Sequence, residues 1–284
     1  MTNYIPTEFY EEMREQIVQT ARKTNIARTL MPARLISGGI GTQQYSYDTL
    51  TEVSDAIFNY EFDKNSEDVI GRSRTHAPIP VLSKDYRISR RDMVAAANGN
   101  YDLNALTANS AAYKVTNLEN QMVINGYSRD GSTYDVKGLY QSAGNSYSDS
   151  ADFGTAGNAL TAVQAALNLL YADNIDTNFN LILNPTQYLE LATSIFGSSN
   201  EGEREMPMVE DLIGGRIIRT TWQTAGTGML VAEPTGGFYE LLVAQDLTNE
   251  MEETPLVHDM YGRVYECVLP VIYEPNAICT LTTI

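Results

Sequence analysis

Two histidines, His76 and His258, are the chain's whole complement of imidazoles, and they stand far apart. His76 precedes Pro78 in loop-like surroundings, and His258 has Asp259 beside it. A His-Asp neighbour pair does not make a nucleophilic triad by adjacency, and no G-x-S-x-G elbow supplies a serine. Both histidines read as exposed loop residues. Metal chemistry has little more to work with, because H-E-x-x-H, C-x-x-C and EF-hand spacings are all missing. Gly38-Gly39-Ile40-Gly41 has the glycine content of a phosphate cradle but neither the G-K-[ST] ending nor the G-x-G-x-x-G spacing. It reads as a hinge at Gly38, Gly39 and Gly41. Glu250-Met251-Glu252-Glu253 could take a hard cation, yet like charges this dense mark a solvated turn. Cys267 lies in an apolar, strand-like run and reads as a small buried hydrophobe. With only 2 cysteines, there is no disulfide framework and no cysteine zinc site. The expectation is a chain that is not an enzyme, with no catalytic residue, no metal ligand and no cofactor.

What must be positioned is therefore surface and charge. At 284 residues the chain is one large domain or two small ones, and 43% hydrophobic residues give it a globular composition. Its net charge of -17 excludes a simple basic nucleic-acid binder. It has no apolar run of about 18 residues to span a membrane. The N-terminal stretch has acids and no apolar segment, which argues against a secretory signal. The charge is segregated. Between Gln16 and Arg34 lie four bases, Arg22, Lys23, Arg28 and Arg34, and no acid, whereas 151–250 carries thirteen acids and three bases. Two regions so different are expected to face different surroundings.

The elements follow from periodicity. Phe9, Met13, Ile17 and Ala21 recur every four residues and predict an amphipathic helix over 7–31, stopped by Pro32. Residues 37–78 alternate polar and aromatic side chains, which predicts two long half-exposed strands joined at Asp63-Lys64-Asn65-Ser66. A ribbon so poor in apolar surface is marginal alone, so a partner chain or an edge of its own sheet must shelter it. Val81 to Ile88 reads as a strand, and Ser89 caps a short helix that ends at Gly99. Asp102 to Asn125 reads as a helix of about 33 Å, with Ala111, Val115, Leu118 and Met122 on one face and Gly126 after it. Residues 127–153 read as a loop or hairpin edge. After Gly154 the texture is α/β: a helix over 159–173, a strand over 179–183, and a helix capped by Asn184-Pro185. A polar loop over 197–205, a short helix from Met208 and strands at 216–220, 229–232 and 238–244 come next. Strands over 263–273 and 278–282 close the chain.

Several stretches in this order resemble the Hong Kong 97-type shell proteins, the family of tailed-virus major capsid proteins and encapsulin nanocompartments. Ser83-Lys84-Asp85-Tyr86-Arg87-Ile88-Ser89-Arg90-Arg91-Asp92 is similar to the family's strand leading into a short helix. Glu119 to Gly126, followed by Gly138-Leu139, is similar to the end of its spine helix and the turn beyond. Val243-Ala244-Gln245-Asp246-Leu247-Thr248 resembles the "GQDL" step of encapsulins, and Tyr261 to Pro275 their last strands. The likeness covers nearly the whole chain through short, degenerate motifs.

The resemblance implies an α+β, Hong Kong 97-like capsid fold. Its parts would be an N-terminal arm (1–36), an extended loop (37–78), a peripheral domain with the spine helix (79–153 and 251–284) and an axial α/β domain (154–250). It implies a structural subunit, and the first reading is a major capsid protein assembling as hexamers and pentamers into an icosahedral virion around double-stranded DNA, built in the host cytoplasm. DNA would be held by non-specific contact with the lumen-facing bases Arg22, Lys23, Arg28 and Arg34. Tyr45, Tyr47, Phe58, Tyr60 and Phe62 would carry the inter-subunit loop. Portal, scaffolding or decoration proteins would be further partners, and no membrane is involved. The alternative is an encapsulin shell protein enclosing a cargo enzyme.

Overall fold

The computed structural model describes residues 25–50, 60, 71–99, 103–148, 152–196, 202–254 and 258–284. In these stretches the helices are α1 (Ala27–Leu30), α2 (Arg90–Gly99), α3 (Leu103–Asn125), α4 (Leu139–Ser142), α5 (Asn158–Ala172), α6 (Pro185–Thr193) and α7 (Glu205–Ile213). The strands are β1 (Ala33–Leu35), β2 (Gln44–Leu50), β3 (Arg72–Pro78), β4 (Val81–Ile88), β5 (Asn145–Ser148), β6 (Phe179–Leu183), β7 (Ile195–Phe196) and β8 (Glu203–Arg204). They continue with β9 (Gly214–Arg219), β10 (Thr227–Ala232), β11 (Tyr239–Glu253), β12 (Met260–Ile272) and β13 (Ile278–Thr282). This is an α+β fold.

Two sheets organise the body. A four-stranded sheet runs β1-β11-β12-β4, and a five-stranded one runs β5-β13-β10-β6-β9. The spine helix α3 lies on the first. Ala108, Ala111, Ala112, Val115, Met122, Val123 and Ile124 are buried there with Leu241, Val243, Val264 and Val268 of β11 and β12. Gly126 ends the helix at φ +77, and a Cβ on it would collide with the Val136 carbonyl, so glycine is required at that turn. Pro270 lies in β12 beyond Cys267, where the β4 pairing stops, so its missing N–H interrupts no ladder on that side.

The five-stranded sheet is apolar on both faces. On β10, Met229 and Val231 join the core around the spine helix, while Leu230 and Ala232 join a second core under α5. On β6, Ile182 faces the first core and Leu181 and Leu183 the second. Burial on both faces explains why these strands read as unbroken apolar runs rather than alternating ones. The wall they form divides the two lobes.

Several elements match their sequence expectation closely. Val81–Ile88 and Phe179–Leu183 are strands. Ser89 Oγ accepts the Asp92 N–H at 3.2 Å and donates to Asp92 Oδ2 at 2.6 Å. Asn184 Oδ1 accepts the Thr186 N–H at 3.0 Å, with Pro185 at the first helical position. Others differ. The expected helix over 7–31 is seen only as Ala27–Leu30, the part before residue 25 lying outside the described residues. The stretch 127–153, expected as a loop or hairpin edge, contains α4 and β5, a strand at a sheet edge but parallel to β13 rather than part of a hairpin. Helix α7 begins at Glu205 rather than Met208, because Pro207 in its first turn needs no intrahelical N–H bond.

The expected division at 250/251 cuts through β11. That strand pairs with β12 from Tyr239 to Glu253, with irregularities between Val243 and Thr248, and belongs with the spine helix, whereas β13 pairs with β10 in the other sheet. The Glu250–Glu253 run is the end of β11 and not a turn. Met251 is partly buried between exposed glutamates, and Tyr265 donates to Glu250 at 2.7 Å across the ladder.

Candidate assembly surface

The ribbon stands apart from both large sheets. β2 and β3 form a separate two-stranded sheet, with Tyr45 opposite Ala77 and Asp48 opposite Arg74. No residue of β3 is buried. Asp48 accepts two bonds from Arg74, at 2.8 and 3.2 Å, which hold its carboxyl below the ordinary range. His76 is a strand residue rather than a loop one, bonded to the Ser46 hydroxyl at 2.7 Å. Tyr60 is 96% exposed. Phe58, Phe62 and the expected turn at 63–66 lie outside the described residues.

The root of the ribbon is anchored to its own body. Tyr45 stacks on Tyr47 at 6.1 Å between centroids, and Tyr47 meets Tyr273 edge-on at 5.3 Å. Tyr273 donates to Glu240 at 2.5 Å, and Arg34 donates to the same oxygen at 2.8 Å. Burial and then the Glu240 carboxylate push the Tyr273 phenol upward, so it stays a donor. Between β1 and β2, Gly38 and Gly39 have φ +129 and +57, conformations that need glycine; a Cβ on Gly41 would meet open space.

The basic segment is not a row of unpaired cations. Arg22 and Lys23 lie outside the described residues. Arg28 turns inward, reaching Glu119 at 3.0 Å, Asp246 at 2.8 Å and Glu266 at 3.3 Å. Arg34 is spent on Glu240. Both of these expected lumen-facing bases are thus paired with acids of their own chain, Arg34 with its side chain still 56% exposed. A base flanked by no acid in sequence found its acids across the fold.

Sequence reading missed Glu119, Glu240, Glu266 and Tyr273. Glu119 had a trace: it falls four residues after Val115, on the stripe predicted to be buried. Cys267 is buried as expected. Among the described residues no group of three His, Cys, Asp or Glu side chains is placed to hold a metal, and no helix is long and apolar enough to cross a membrane. A cleft at the start of α2 is lined by Arg87, Arg90, Arg91 and Asp259, with Arg87 already paired to Asp259 at 2.5 Å.

A spine helix on one sheet, a second lobe across a shared wall and an outstretched ribbon together define a Hong Kong 97-like fold. The family described as the encapsulating protein for peroxidase (Linocin_M18) matches residues 4–257, and the chain belongs to that family. It is 24% identical over 281 residues to the type 1 encapsulin shell protein EncA of Myxococcus xanthus, covering 98% of this chain and 94% of that protein. It is 25% identical to a diheme-cytochrome-encapsulin shell fusion protein of Kuenenia stuttgartiensis, over 98% of this chain and 73% of the relative. Among solved structures, the virus-like particle from Pyrococcus furiosus superposes with a TM-score of 0.69 at 21% identity, over 97% of this chain and 100% of that one. The capsid of Myoviridae phage XM1 gives 0.68 at 14% identity, over 87% and 88%. The chain is thus a shell protein of the capsid and encapsulin type, and its curated relatives favour the encapsulin reading over the viral one.

Proposed function

We propose that this chain is the repeating subunit of an encapsulin-type compartment, a closed icosahedral shell that encloses a cargo enzyme. The family match over residues 4–257 carries the reading. The phage-capsid likeness, at 14% identity, speaks for the fold alone. A peroxidase, the cargo in the family's description, is the class of enzyme to look for first. The lobe built on α3 and the four-stranded sheet takes the peripheral role, and the lobe under α5 the axial one. Segment 37–78 overlaps a neighbouring copy, pivoting at Gly38 and Gly39. The exposed ribbon with an anchored root supports that overlap: a two-stranded ribbon is marginal in water, and a repeated contact between copies shelters it.

Electron microscopy of the purified chain, with mass spectrometry of what accompanies it, tests the reading. Uniform closed shells with a co-purifying enzyme are expected. DNA-filled heads with portal proteins would return the viral reading, and a monomer would end both. Removing 44–78 is expected to leave the secondary structure intact and abolish shells. Particles of unchanged yield and size from that deletion would refute the overlap.

A further inference from the structure

Glu119 of α3 and Glu266 of β12 are each 1% exposed, and they share one cation. Arg28 of α1 gives Nε to Glu119 Oε1 at 3.0 Å and a terminal nitrogen to Glu266 Oε2 at 3.3 Å. Its other terminal nitrogen goes to Asp246 Oδ1 at 2.8 Å, on β11 where the ladder opposite Glu266 is irregular. Asn25 donates to Glu119 Oε2 at 2.6 Å, and Asn120 Oδ1 accepts the Ala27 N–H at 2.9 Å. Among the described residues the Cys267 thiol is a further ionisable neighbour, which burial and the adjacent Glu266 push upward. From β4 the residue opposite Glu266 is Leu82, which carries no charge. One guanidinium therefore faces three carboxyls.

Glu266 Oε1 is buried with no hydrogen-bond partner, while its Oε2 shares the Arg28 guanidinium with the Glu119 carboxyl. An ionised oxygen buried without a donor is costly, and the second buried carboxylate on the same guanidinium adds to that cost, so the orphaned oxygen is the place for a proton. We propose that one proton shared by Glu119 and Glu266 holds segment Asn25–Met31 against the spine helix, and that its loss loosens this strap. With the proton the four charged groups sum to -1, and without it to -2, the two glutamates being closed to water while Asp246 stands half exposed at the rim. Burial drives both carboxyls above the usual carboxylate range, Glu266 the further because the Glu119 charge adds to it. The sign follows from linkage. A carboxyl raised in the folded chain contributes fully below its unfolded value, and the contribution is lost as pH climbs through the raised one.

Amide hydrogen exchange on the full chain reads the strap directly. The N–H groups of Ala27, Leu30 and Met31 bond to Asn120 Oδ1, Ile26 O and Ala27 O. After correction for intrinsic exchange, their protection is expected to fall at least about tenfold as pH rises from the ordinary carboxylate range to the alkaline limit of the fold, the equivalent of one pKa unit. Glu266→Gln keeps the shape and supplies a permanent donor, so its protection stays within about twofold over that range. Glu240→Gln, at the ribbon root, keeps the wild-type fall. Wild-type protection indifferent to pH, or a Glu266→Gln chain that loses it in step with wild type, overturns the proposal. If Glu266→Gln does not fold, infrared titration of the wild type decides. A protonated-carboxyl band at neutral pH that vanishes together with the amide protection supports the strap, and full ionisation refutes it. The bonds being read lie within one chain, so the outcome is separate from that of the shell reading.

Discussion

The ribbon β2–β3 and the wall strands β6, β10 and β13 are built from the same backbone geometry and live in opposite surroundings. In the wall, Leu181, Ile182, Met229, Leu230 and Val231 are buried on both faces, and one face serves each core. In the ribbon the cross-strand partners are Asp48 with Arg74 and Ser46 with His76, standing in water. Apolar area removed from water stabilises the wall at about 25 cal/mol per Å², whereas exposed ion pairs add little. The wall's strength is its own; the ribbon's order has to come from what it touches.

Three substitutions measure that contrast by thermal unfolding. Leu230→Ala empties a fully buried site in the wall and is expected to cost about 2–5 kcal/mol. Tyr47→Ala at the ribbon root removes two ring contacts and is expected to cost about 1 kcal/mol, enough to show the root belonging to the body. Arg74→Ala, out on the ribbon, is expected to leave the melting temperature of the isolated chain within about 2 °C of wild type. A wall cost no larger than the root cost would break the comparison. An Arg74→Ala chain that melts far lower would show the ribbon packed on its own body.

The sequence disclosed what is local. Val81–Ile88, Phe179–Leu183, the Ser89 and Asn184 caps and the Gly126 stop follow from alternation, capping and φ, all set within a few residues. What spans long separations stayed hidden. Nothing near Tyr239 says that its strand pairs with β12 rather than joining the lobe before it, and nothing near Ile278 says that it crosses to β10. The polar clamp was hidden for the same reason: Arg28 meets Glu266 across 238 residues. Its one local trace was a glutamate on a stripe of apolar positions, a pattern that becomes informative once the arginine opposite is known. The overall resemblance named the family correctly, while its first reading, a viral capsid, is not the one that the curated relatives favour.

The backbone passes between the lobes three times: from α3 to β5, from β10 to β11 and from β12 to β13. A single nick at the second of these passages, between β10 and β11, would leave each fragment stitched into both halves, since neither sheet is made from one continuous stretch. Proteases that cut such a molecule there once would release nothing, and a scar in the covalent chain would be invisible until the plank common to both cores came apart.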